Sequence, residues 1–155
     1  RAAMAAIEGR IGKVLIAHRF KLVLEDWRNP GEQPLPVAPV TGIVSVTVVD
    51  AAEGTVVVDA ARYRLVVDMH RPKLAALGVL LPAVPMDGRA EVVFDAGFGA
   101  TWAEVPVDLA QAVLLLAAEY YEVRQAGDSG QAGLPFAVQA LIERWRTVRI
   151  LGGRA

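Results

Sequence analysis

The stretch Ala90 to Arg124, AEVVFDAGFGATWAEVPVDLAQAVLLLAAEYYEVR, changes its period partway along, and that change decides the fold. Ala90 to Asp95 reads as a strand, and Gly97-Phe98-Gly99 as the turn that leaves it. From Val105-Pro106 onward the apolar residues recur at helical spacing, which predicts a helix over 106–124. Proline suits a first turn because its missing N–H has no partner to lose there, and Asp108 complements the helix dipole. Leu109, Val113, Leu116, Tyr120 and Val123 form one apolar stripe. Leu114, Leu115, Ala118 and Tyr121 form a second stripe on another side. A helix that is apolar on most sides is buried on most sides, and in so small a chain a neighbouring subunit is one source of cover.

Upstream of this stretch the chain reads mainly as β. Val14, Ile16, His18, Phe20, Leu22 and Leu24 alternate, which predicts a strand with one buried face and places His18 on that inward face. Residues 28 to 40 contain four prolines and read as an extended loop. Ile43–Val49 and Thr55–Asp59 flank the turn residues Asp50 to Gly54, as in a hairpin. Tyr63–Val67 and Lys73–Leu81 hold further short strands, separated by His70-Arg71-Pro72. The first nine residues are Ala-rich helix formers ending at Gly9.

Downstream, residues 126 to 133 form a polar loop. Leu134-Pro135 opens a second helix, expected over 135–148, with Val138, Leu141, Ile142, Trp145 and Val148 on one face. The fold class is therefore α+β: a small helical unit with an inserted antiparallel β block at about 14–95. We expect a single domain over 1–155, a β-rich insertion at 13–96 and a flexible C-terminal arm at 147–155.

Composition narrows the function classes. The 155 residues carry 16 Lys+Arg against 17 Asp+Glu, so a dedicated nucleic-acid binder built on a basic stripe is excluded. Of the chain, 54% is apolar, yet the longest apolar stretch, Ala75 to Met86, is broken by Gly78, Pro82 and Pro85. A membrane-spanning helix needs about 20 predominantly apolar residues. With no cysteine there are no disulfides, zinc–thiolate sites or thiol nucleophiles.

The residues that carry chemistry are sparse. His18 and His70 have no metal-ligand spacing, and neither Ser45 nor Ser129 has a local histidine to activate it. The Ala96-Gly97-Phe98-Gly99 turn follows a strand and precedes a helix, but lacks the Lys-Ser/Thr of a phosphate cradle; a strand exit needing positive φ explains it more simply. Glu119 and Glu122 share a helix side around Tyr120 and Tyr121. They describe either a solvated or subunit-facing edge or, with the Gly97 turn, a small ligand-binding or enzyme domain. The C-terminal arginines Arg144, Arg146, Arg149 and Arg154 are the most polarised charge feature. They suit either a solvated helix end or docking to an acidic partner.

The order of motifs resembles a known family. A strand ends in Phe94-Asp95-Ala96-Gly97-Phe98-Gly99, and Val105-Pro106 leads into LAQAVLLLAAEYYEVR (109 to 124). After a polar loop come Leu134-Pro135-Phe136-Ala137-Val138 and a helix ending in Trp145-Arg146. Upstream stand Gly9-Arg10, Trp27, the Pro-rich Leu35 to Val40, and Ile43-Val44-Ser45-Val46-Thr47-Val48. Over nearly the whole chain this resembles the head–tail connector (head-completion adaptor) family of long-tailed phages and gene transfer agents.

The resemblance implies a non-enzymatic virion structural protein, with no catalytic residue, cofactor or metal. It implies a ring, commonly of twelve copies, below a portal protein, with a stopper or tail-terminator protein beyond it. DNA would pass through the channel without sequence-specific binding, and no membrane is involved. The particle's head–tail junction is the expected location, after synthesis in the bacterial host's cytoplasm. The portal-binding arm would comprise Arg144, Arg146, Arg149, Ile150, Leu151 and Arg154, and the subunit interface Leu114, Leu115, Ala118 and Tyr121. The resemblance also implies one or more helices ahead of Arg1.

Overall fold

A computed structural model describes residues 1–78, 80–126 and 133–146; for Gln125 and Ala126 only the backbone is described. The chain opens with helix α1 (Ala2–Ile11). Seven strands follow: β1 (His18–Leu24), β2 (Glu32–Pro34), β3 (Val40–Val49), β4 (Thr55–Val57), β5 (Tyr63–Val66), β6 (Lys73–Ala76) and β7 (Arg89–Ala96). Helices α2 (Val107–Ala126) and α3 (Phe136–Ile142) complete it, with a 3-10 turn at Glu143–Trp145. This is the α+β order expected from the change of period.

The strands form two antiparallel sheets, one ordered β1-β7-β3-β4 and the other β2-β6-β5. Strand β7 shows why the larger sheet holds. Ala90, Val92, Phe94 and Ala96 are fully buried, while Arg89, Glu91, Val93 and Asp95 between them are only half-buried. A period of two puts one set inward and the other outward, and burying each Val or Phe contributes about 1.5–3 kcal/mol. On the outer side Arg19 of β1 grips Asp95 through two hydrogen bonds of 2.9 and 3.0 Å, and Lys21 meets Glu91 at 2.6 Å. These cross-strand pairs fix register more than they add stability, because the cations Arg19 and Lys21 reach into solvent.

The molecule has two apolar cores. One lies between the sheets and includes Trp27, Val46, Leu74, Val92 and Phe94. The other joins the helices through Ile7, Ile11, Leu109, Leu116, Val138 and Ile142. They meet at residues 13–17. Val14 belongs to the sheet core and Leu15, its neighbour, to the helical core. Backbone hydrogen bonds hold this seam: Val14 N–H to the Ala38 carbonyl (2.8 Å), Ala17 N–H to Gly99 (2.7 Å) and Gly97 N–H to Pro39 (2.9 Å).

The seam corrects the expected strand from Val14. Its alternation is real, but the residues serve two cores, and the ladder begins only at His18. His18 is exposed instead of inward, its ring nitrogen bonded to the Ile16 carbonyl at 2.9 Å. Helix α1 also runs past Gly9 to Ile11, because Ala3, Ile7 and Ile11 continue one buried stripe. Gly12, at φ 67°, is the left-handed cap.

The Pro-rich segment is not wholly loop, since it supplies β2. Proline is tolerated there because β2 is an edge strand with one side free of ladder bonds. Strand β6 stops at Ala76, short of Leu81. The second helix is shorter than 135–148, giving way to the 3-10 turn after Ile142. Val148 and the arm at 147–155 lie outside the described residues.

Candidate functional site

Helix α2 has two unlike sides. Leu109, Ala112, Val113 and Leu116 are buried against α1 and α3. On the opposite side Leu114 is 62% exposed and Tyr121 61%, with Leu115 and Ala118 also exposed. Tyr120, expected on the inner stripe, is exposed as well, at a cavity it lines with Ala6, Gly9 and Arg10 of α1. Phe136 at the start of α3 is 86% exposed. The second apolar stripe is therefore a surface with no cover from the described residues, and it brings Leu114, Leu115, Ala118 and Tyr121 together along one helix.

At the other end of α2, Asp108 ties down the C-terminal segment. Its carboxylate accepts from the Trp145 indole N–H (2.7 Å), the Arg144 guanidinium (2.7 Å) and the Leu109 N–H (3.0 Å). Burial pushes this carboxyl up, but those three donors outweigh it and hold it below the ordinary carboxylate range. Arg144 also lies over the Trp145 ring, which packs edge-on against Phe98. Arg146 grips Glu143 through two hydrogen bonds of 3.0 Å. Two of the arginines read from the sequence as portal-facing are thus engaged within the chain. Arg149, Ile150, Leu151 and Arg154 lie outside the described residues.

A cleft of about 1170 Å³ runs between the end of α1, the segment at 28–37 and the β5–β6 connection. Among the described residues Arg10, Arg28, Arg71, Lys73 and Arg146 line it, against two carboxylates, Glu32 and Asp68. Lys73 neutralises Glu32, and Asp68 accepts from the N–H groups of His70 and Arg71 at 2.7 Å each. Close by, Lys13 is 1% exposed and its ammonium meets His70 Nδ1 at 3.2 Å. Burial pulls the pKa of Lys13 down, with Asp68 opposing. Sequence reasoning missed this cleft because Arg10, Arg28, the Arg71–Lys73 pair and Arg146 come from four separate places in the chain, and only Arg146 stood out where it is.

The residues weighed for small-molecule chemistry do not come together. His70 lines the cleft, while Glu119 lines neither it nor the smaller cavity beside Tyr120. Gly97, at φ 141°, is required by close packing: a Cβ there would stand 2.3 Å from the Ala17 Cα. The turn is filled by the chain's own backbone, leaving no cradle. No group of three or more His, Asp or Glu among the described residues could hold a metal, and no described helix is long and apolar enough to cross a membrane.

No family model matches the chain, and no curated protein matches it. Solved structures do match. With 56% identity and a TM-score of 0.89, the whole chain aligns with 83% of a chain from the neck of a native gene transfer agent particle, computed with C12 symmetry. The same identity and TM-score relate it to 78% of a chain from the neck of an empty particle computed with C6 symmetry. They also relate it to 78% of a chain from the virion of a native particle. Such identity over the full length places the sheets, the seam and the three helices on a shared plan, and the chain belongs to the family of gene transfer agent neck proteins.

Proposed function

We propose that this chain is a structural subunit of a particle neck, where copies of it form a ring that adapts a portal protein to the stopper or tail protein and continues the DNA channel. The observation that carries the reading is the 56% identity to chains in necks computed with C12 and C6 symmetry. The exposed apolar side of α2 supports it. Leu114, Leu115, Ala118 and Tyr121 are the subunit contacts in this reading, and their cover is a neighbouring copy. Twelve copies fit the C12 particle, with the C6 computation a subset of the same symmetry.

In the C-terminal region Arg144 and Arg146 act as an anchor, because Asp108 and Glu143 already hold them. Arg149, Ile150, Leu151 and Arg154 are then the residues that reach the portal. DNA passes the ring as a polyanion, without sequence readout.

Electron microscopy of purified particles carrying a tagged chain tests the reading. We expect tag density in a ring at the portal–tail junction, and its absence there overturns the proposal. A chain lacking residues 147–155 should fold and yet be incorporated poorly. Normal incorporation of that variant would remove the arm from the portal contact.

A further inference from the structure

A closed ring of more than two copies needs two different patches on each subunit, because head-to-tail contacts cannot be self-complementary. The outer side of α2 is one patch. On one flank of it Leu115, Ala118, Glu119 and Glu122 stand at i, i+3, i+4 and i+7, so two apolar side chains share a ridge with two carboxylates. All four are exposed. Glu119 and Glu122 make no ion pair with another described residue. The second patch must offer apolar surface and positive charge.

The cleft offers both. Leu35 and Val37 contribute apolar lining, and the guanidinium groups of Arg10 and Arg28 also make no ion pair with another described residue. Its carboxylates are already engaged by Lys73 and by backbone N–H groups. We infer that the Arg10–Arg28 cleft of each subunit receives the Leu115–Glu122 ridge of the next copy, with Glu119 and Glu122 meeting the two arginines. Duplex DNA fits this concave, partly apolar surface less well than a ridge that brings its own leucine. The inference rests on the ring reading above and adds the partner surface to it.

The chain has no cysteine, so introduced thiols report cleanly. In particles carrying the full chain with Arg28→Cys and Glu122→Cys, or with Arg10→Cys and Glu119→Cys, a short bismaleimide should produce a ladder of species beyond the dimer. Each single substitution should give no ladder. As a second measurement, Arg28→Glu should lower neck occupancy about tenfold, the loss of one charge-assisted contact per interface, and Glu122→Arg should restore it. Full neck occupancy with no ladder from either pair overturns the inference alone. Normal occupancy of Arg28→Glu accompanied by poorer DNA retention assigns the cleft to DNA and also overturns it. Absence of the unaltered chain from the neck removes the ring reading, and this one with it.

Discussion

Strand β7 and helix α2 spend their apolar residues differently. In β7 every second residue is buried, and three of the other four are charged. In α2 the inner side is buried from Leu109 to Leu116, yet leucine and tyrosine also stand on the outer side. The contrast separates apolar surface that the chain's own packing covers from apolar surface that it leaves open. A chain that is 54% apolar has more of the second kind than its own packing absorbs.

Substitutions can break or sharpen that division. The largest loss of stability should come from Phe94→Ala in the sheet core, about 3–5 kcal/mol from lost burial and the cavity left behind. Urea unfolding of the free chain would measure it, and a loss under 1 kcal/mol would show the core to be slack. Gly97→Ala should follow. Its left-handed φ alone costs on the order of 1–3 kcal/mol in an L residue, and the Ala17 backbone occupies the space the methyl needs.

Asp108→Ala should cost about 1–3 kcal/mol by leaving the partly buried Trp145 N–H without its acceptor. The pH dependence has a definite sign. Because the folded Asp108 pKa is depressed, its stabilisation is complete above the ordinary carboxylate range and is lost as the pH falls below it. Unfolding of the unaltered chain from neutral to about pH 3 should therefore show a loss that the Ala variant lacks in part.

Leu115→Glu should move monomer stability least, by about 0.5 kcal/mol or less, since the site is exposed. It should nevertheless disturb ring assembly most. Outright unfolding of that variant would return the outer side of α2 to the subunit's own core and erase the division.

Much of the architecture was legible because single periods announced it. Strand β7 alternates along its full length, α2 carries helical spacing from Leu109 to Leu116, and Asp50 to Gly54 mark the turn of the β3–β4 hairpin. The misreadings fall where residues obey two rules at once. Val14 and Leu15 are adjacent and belong to different cores, so an alternation template extended the strand too far. Gly9 resembled a cap, but the buried Ile11 carried the helix on to Gly12. Strand β2 was hidden by its prolines, whose cost vanishes only at an edge, and edge position belongs to the sheet rather than to the segment. The exposed stripe of α2 was visible as surplus apolar residues. The basic cleft was not, since it depends on chain folding to gather Arg10, Arg28 and Arg146 onto one cleft.

The seam at residues 13–17 has a mechanical consequence. Val14 is locked in one core and Leu15 in the other, and the hydrogen bonds from Val14, Ala17 and Gly97 clamp the crossing. Twisting the helices against the sheets would have to pull one of those side chains from its socket. The joint is stiff in torsion, so load applied to the helices passes into the sheets instead of being lost in a hinge.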